Sequence, residues 1–186
     1  MEFGYFKKPV IKKTTKCIPI SNKEDVTIGF IKRFYTNKVE KWIDHIFDEF
    51  YVNVEVMDSN SNMIVKAIEN KSLQSMLRSN WVIECKDKGK LILEDRTKIK
   101  INPMMKLVIN NTTYYLKKGF ANNRVRLESS EQTIAEITYD KIIPPATVSI
   151  EKKTGGLIFT SYCMPLLYIY VTRVRRDRIL NPTVFK

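Results

Sequence analysis

Few side chains in this sequence combine a chemically useful type with a chemically useful spacing. His45 is the only histidine, set between Asp44 and Ile46 in a helical pattern. Acid–base or metal chemistry there would need partners that the neighbouring sequence does not supply, so a half-exposed helix residue is expected. Cys17, Cys85 and Cys163 are widely scattered. No pair of them has redox or metal-ligand spacing. Each has apolar neighbours, and buried free thiols of a reducing compartment are expected. Neither a zinc site nor any other metal or cofactor is expected. Glu94 and Asp95 stand together before Arg96, which reads as a turn with local charge pairing. Phosphate-loop, dinucleotide-binding and nucleophile-elbow signatures do not occur. With no nucleophile–base, metal or phosphate constellation, no catalytic residue is assigned and a binding role is expected.

What the chain does carry is positive charge. Its 186 residues include 32 Lys and Arg against 20 Asp and Glu, a formal net charge of +12. That balance favours polyanionic partners, although a soluble charged surface accounts for it equally well. The clusters are Lys7-Lys8, Lys12-Lys13 with Lys16, Lys98 with Lys100, Lys117-Lys118 with Arg124 and Arg126, and Arg173 through Arg178. Alternate residues of a strand share a face, so Arg124 and Arg126 point the same way, as do Lys98 and Lys100. Lys117, Lys118, Arg124 and Arg126 are the candidate anionic-ligand residues; edge protection by Lys is the alternative. Tyr114 and Tyr115 beside Lys117 could stack on bases, but alternation turns one inward and the other outward.

The elements that must position these residues are mostly strands. Val26 to Tyr35 alternates, with Ile28, Phe30 and Phe34 on one face. Val52, Val54 and Val56 share a face in the next run. The Asp58 to Asn62 stretch is turn chemistry, and Met63 to Ile68 returns as its partner. Trp81 to Lys86 and Leu91 to Glu94 flank residues 87–90; Met105 to Ile109 and Thr112 to Lys117 flank Asn110-Asn111; Arg124 to Glu128 pairs with Thr133 to Thr138. About twelve such runs predict an all-β barrel or sandwich.

Two segments break the rhythm. From Asn37 to Phe50, Val39, Trp42, Ile43, Ile46, Phe47 and Phe50 form one helical stripe, opposite Lys38, Glu40, Lys41, Asp44 and Asp48. Asn37 is the expected N-cap. The stripe is expected to pack on the sheet or over a barrel opening. A membrane-surface role is disfavoured because the polar face carries both signs. Leu157 to Val171 is apolar on every side but is shorter than the ~20 residues that span a bilayer. A buried helix from about Gly156 to Arg173, threaded through a closed barrel and kinked or begun by Pro165, is the reading that fits.

Strands, an early amphipathic helix, more strands and a final apolar helix resemble the tubby C-terminal fold, shared with phospholipid scramblases and plant LURP-one-related proteins. The resemblance is carried by GFIKRFYTNKVEKWIDHIFD (29–48), VNVEVMDSNSNMIVKA (52–67), WVIECKDKGKLILEDRTKIKINP (81–103), YYLKKGFANNRVRLE (114–128) and IAEITYDKIIPP (134–145). More closely, the chain resembles small tubby-like proteins of Gram-positive bacteria. The resemblance implies one domain over residues 1–186, mainly β: about twelve antiparallel strands closed around a hydrophobic C-terminal helix, with an amphipathic helix near 38–50. It also implies a non-enzymatic role and lipid head groups as ligands. The proline-rich, cysteine-rich and acidic calcium-binding segments of scramblases have no counterpart here. The expected partner is an anionic phospholipid or membrane surface, with a protein partner second and nucleic acid last. The N-terminal residues lack the apolar core of a signal peptide, and a cytoplasmic location, peripheral to the inner face of the membrane, is expected.

Overall fold

In a computed structural model, the described residues are 3–8, 14–46, 50–70, 79–86, 89–97, 103–118, 124–130, 132–140, 146–153, 165, 166, 168, 169 and 172. Twelve strands close into one barrel. They are β1 (Phe3–Lys8), β2 (Ile18–Ser21), β3 (Thr27–Phe34), β4 (Asn53–Asp58), β5 (Met63–Asn70), β6 (Asn80–Cys85), β7 (Gly89–Asp95), β8 (Met104–Ile109), β9 (Thr112–Lys118), β10 (Arg124–Ser129), β11 (Gln132–Tyr139) and β12 (Ala146–Lys152). One helix, α1 (Lys38–Ile46), joins β3 to β4. Every neighbouring pair is antiparallel, each strand follows its predecessor, and β1 pairs with β12 from Phe3↔Glu151 to Lys8↔Ala146 to close the ring. Closure leaves no open sheet edge.

The tight turns use the residues that the sequence offers for them. Asp58 Oδ1 accepts hydrogen bonds from the Asn60 and Asn62 amides, and Ser61 adopts a positive φ of 65°. These bonds, led by the one from the Asn62 side chain, hold the Asp58 carboxyl below its usual range. Asn110 and Asn111 take φ of 48° and 63°, the left-handed pair that a two-residue hairpin needs. Gly29 is required for a different reason. A Cβ there would lie 2.6 Å from the Met57 carbonyl oxygen on β4.

The inward faces form one core. Val52, Val54, Val56, Val65, Ala67, Trp81, Ile83, Leu93, Leu107, Leu116, Val125, Ile137 and Ile150 are buried, each full burial being worth about 1.5–3 kcal/mol for the larger side chains. Leu166, Tyr168 and Ile169 belong to the same core. Pro165, Leu166, Tyr168, Ile169 and Thr172 are helical and buried, and the Tyr168 ring lies 6.1 Å from that of Phe6 on β1. A closed barrel around a hydrophobic helical segment is thus the architecture; the rest of the expected 156–173 helix lies outside the described residues. The outer wall carries cross-strand ion pairs such as Lys32–Glu55 and Lys90–Glu84. Apolar inside and charged outside is the reverse of a membrane-spanning barrel. Among the described residues no helix is long and apolar enough to cross a membrane.

Two local expectations change, cysteine burial and the seating of α1, while Ile28, Phe30 and Phe34 share a face as expected. On β3 the apolar parity of Ile28, Phe30 and Phe34 is the outer one; Gly29, Ile31 and Arg33 face inward. Phe34 instead lies under the Lys66 ammonium, 4.7 Å from its ring centre. Cys17 is exposed and Cys85 half-buried, so neither is a buried thiol, while Cys163 lies outside the described residues. The larger change concerns α1.

Candidate functional site

The expected helix forms, and Asn37 caps it: its Oδ1 accepts the Glu40 amide at 2.8 Å, while Glu40 Oε2 accepts the Thr36 amide at 2.8 Å. Its orientation is the opposite of the one that its apolar stripe predicts. Glu40 and Asp44 are the buried residues of α1, whereas Val39, Trp42 and Ile46 are 63%, 65% and 52% exposed. Ile43 is half-buried; Phe47 and Asp48 lie outside the described residues.

The cause lies in the barrel mouth. Arg33 is an inward residue of β3 and is 1% exposed. A buried guanidinium without a carboxylate is costly, and α1 supplies one. Asp44 accepts from Arg33 Nη2 at 3.2 Å, from the Tyr35 hydroxyl at 2.7 Å and from the Tyr51 amide at 3.1 Å. Glu40 also accepts from the Asn53 side chain, and Asn53 Oδ1 accepts from the Glu69 amide. Glu69 in turn accepts from the Val52 amide, and the Trp81 indole donates to the Val52 carbonyl. This polar plug uses all the acidic groups that α1 presents among the described residues. Burial, then the bond to Asp44, pushes the Tyr35 phenol up to about 12.

With its acids turned inward, the outward surface of α1 is apolar and cationic: Val39, Trp42 and Ile46 beside Lys38, Lys41 and His45. Lys38 and Lys41 make no ion pair among the described residues. A cleft of about 880 Å³ opens beside this surface, lined by Tyr35, Lys38, Lys41, Trp42 and His45 among others. His45 is exposed on the helix. The helical stripe points away from this site, because by its apolar side alone it predicts the inward face. The available signal was Arg33, Asn53 and Glu69, three polar residues at inward strand positions.

The basic residues singled out in the sequence lie elsewhere on the wall. Arg126 faces Lys117 across β9–β10, and Val125 faces Lys118. Lys117, Arg124 and Arg126 are exposed on one face; Lys118, of the other parity, is half-buried at the end of β9. The three outer cations do not stand alone. Lys117 pairs with Glu128 at 3.1 Å, and Arg124 and Arg126 approach Glu136 at 3.4 and 3.8 Å. Lys153 also reaches Glu136, and its bond to Glu151 raises the ammonium and lowers the carboxyl from their ordinary ranges. Tyr114 is buried and Tyr115 half-exposed under Lys117, so no stacking pair forms. Glu94 and Asp95 end β7 instead of forming the expected turn, but the expected local charge pairing is there, with Arg96–Glu94 at 2.7 Å. Lys98, Lys100, Lys12, Lys13 and Arg173 to Arg178 lie outside the described residues. Among the described residues no group of His, Cys, Asp and Glu is arranged to hold a metal ion.

The ring of twelve antiparallel strands closed around a hydrophobic helical segment restricts the family, and comparison by sequence decides it. The tubby C-terminal like domain matches residues 5–164. The chain belongs to the tubby C-terminal-like family. No curated protein and no solved structure matches it significantly. Tubby-like domains are generally non-enzymatic and bind phosphoinositides and other lipids as a group. In this tubby-like barrel, cations are exposed among the described residues both on the paired face of β9–β10 and on the outward surface of α1.

Proposed function

We propose that this tubby-like barrel is a non-enzymatic binding module that contacts anionic phospholipid at a membrane surface, through Lys117, Arg124 and Arg126 with Lys118 at their margin. The observation that supports this reading is the register of β9 and β10. It sets Lys117 against Arg126, with Arg124 next on the same exposed face. Their carboxylate partners are no obstacle, because exposed ion pairs contribute only about 0–1 kcal/mol and a phosphate can replace them. Each Lys or Arg at an anionic surface contributes about 1 kcal/mol, so association is salt-sensitive. The experiment is co-sedimentation with neutral and with anionic vesicles at low and high salt. Binding to anionic vesicles alone, weakened by salt and by reversing the four charges, supports the proposal; equal pelleting with both lipids or with neither contradicts it.

A protein partner is the second reading. It is favoured by outward apolar residues on neighbouring strands, with Ile92 opposite Val82 and 58% exposed, and Val108 exposed on β8. Ile92→Glu leaves vesicle binding unchanged on the first reading and abolishes partner capture on the second.

A further inference from the structure

We infer that the outward surface of α1 is a bilayer-inserting wedge: Val39, Trp42 and Ile46 enter the acyl boundary of an anionic membrane while Lys38 and Lys41 engage its phosphates. The inference rests on the lipid reading above for its partner class, but its first two observations, exposure and charge, are independent of the β9–β10 face.

Three observations carry it. The first is exposure. A short helix leaves a tryptophan, an isoleucine and a valine more than half open to water on one side, within a single arc of about 60° at 100° per residue. Tryptophan is the side chain whose apolar ring and polar N–H suit the bilayer interface.

The second is charge. As a sequence, α1 carries both signs, which argues against a membrane surface. As a structure, its outward surface does not present both signs among the described residues. Glu40 and Asp44 are consumed by Asn53, Thr36, Arg33, Tyr35 and Tyr51. The titratable groups left facing out from the described helix are Lys38, Lys41 and His45. This is the composition of an interfacial helix, apolar on one flank and basic on the other. It complements an anionic bilayer. The cleft bordered by Lys38, Lys41, Tyr35 and Trp42 gives a head group room beside the wedge.

The third is placement. In an up-and-down barrel the odd-numbered strands run in one direction. The end of β3, where α1 begins, and the end of β9, at Lys118, therefore lie at the same end of the barrel, as does the start of β10 at Arg124. One membrane plane across that end meets both α1 and the margin of the basic face.

Tryptophan fluorescence tests the wedge directly, because the chain has two tryptophans in opposite environments: Trp42 exposed and Trp81 fully buried. The full chain is titrated with vesicles of phosphatidylcholine alone and of phosphatidylcholine mixed with phosphatidylglycerol. The expected result is a blue shift with the anionic vesicles and loss of acrylamide quenching, both absent from Trp42→Phe. Trp42→Ala and Ile46→Ser should each weaken partitioning by about tenfold, and Lys38→Glu with Lys41→Glu should weaken it at low salt. Far-UV circular dichroism confirms that each variant is folded. Pelleting with anionic vesicles while Trp42 stays quenchable would overturn the wedge and leave the β9–β10 proposal standing. A normal shift in the variant with the four strand charges reversed supports the wedge and contradicts the strand-face site. A blue shift that grows with protein concentration and needs no lipid would assign the face to a second copy of the chain and overturn the inference.

Discussion

The barrel wall and α1 obey opposite rules. Along the wall, inward residues such as Val54, Val56, Val65 and Ala67 are apolar, and outward ones such as Lys32 and Glu55 are charged and paired. On α1, the inward residues are Glu40 and Asp44, and the outward ones include Val39, Trp42 and Ile46. The difference teaches that a helix face is chosen by what its neighbour offers. The barrel mouth offers Arg33 and Asn53, which demand acceptors. A buried charge left unpaired costs more than the few kcal/mol gained by burying another apolar stripe.

The wall half of this comparison breaks hardest at its centre. Ile169 is fully buried in the core, and Ile169→Asp places an unpaired charge there. The expected cost, several kcal/mol, exceeds what a domain of marginal stability tolerates. Cooperative thermal unfolding should disappear. A folded Ile169→Asp protein would mean that this segment is not inside the barrel.

The helix half breaks at Asp44. Asp44→Ala leaves Arg33 buried without its carboxylate, and a loss of about 3–5 kcal/mol is expected from urea unfolding. Replacing Arg33 by Met at the same time should recover part of it, since an apolar pair of similar volume often matches a buried ion pair. Additive losses in the double variant would show that the two residues do not act together.

Most of the wall was legible in the sequence. Alternation and turn residues located the hairpins because the period of two survives wherever one face is buried, and Asn110-Asn111 and Asp58 to Asn62 need little tertiary context to turn. The orientation of α1 was not legible. A helical stripe defines an apolar side, but it does not say whether the opposing surface is apolar or holds a buried arginine. Nor does the outward parity of Phe30 and Phe34 follow from alternation alone, since both parities of β3 carry apolar residues and the one with Ile31 faces in. Alternation puts Arg124 and Arg126 on one face but does not say which of Lys117 and Lys118 joins them. The register places Lys117 there and gives their carboxylate partners, which belong to other strands.

A smaller effect sharpens the polar plug. Tyr35 keeps its proton in the folded chain up to about pH 12, whereas an unfolded tyrosine releases it near ~10. The folded state therefore binds more protons in that window, and stability present below about pH 10 is lost as pH rises toward 12. Tyr35→Phe should cost about 1–2 kcal/mol at neutral pH through the lost bond to Asp44 and should flatten the alkaline fall in urea midpoints. Part of the fall should remain, because burial also raises Tyr51. An unchanged alkaline slope would remove Tyr35 from the plug.

The smallest effect is expected at the largest exposed side chain. Trp42→Ala should change stability by no more than about 0.5 kcal/mol, as surface substitutions do. A loss of several kcal/mol by thermal or urea unfolding would mean that Trp42 is packed.

The orientation of α1 is tested most directly by acrylamide quenching of the lipid-free protein, comparing the native chain with Trp42→Phe. The inverted helix predicts two populations in the native chain: one red-shifted and quenchable, and one shielded. Trp42→Phe should retain only the shielded emission of Trp81. A native chain in which both tryptophans are shielded, with Trp42→Phe removing a blue-shifted and unquenchable component, would contradict a helix seated acids inward.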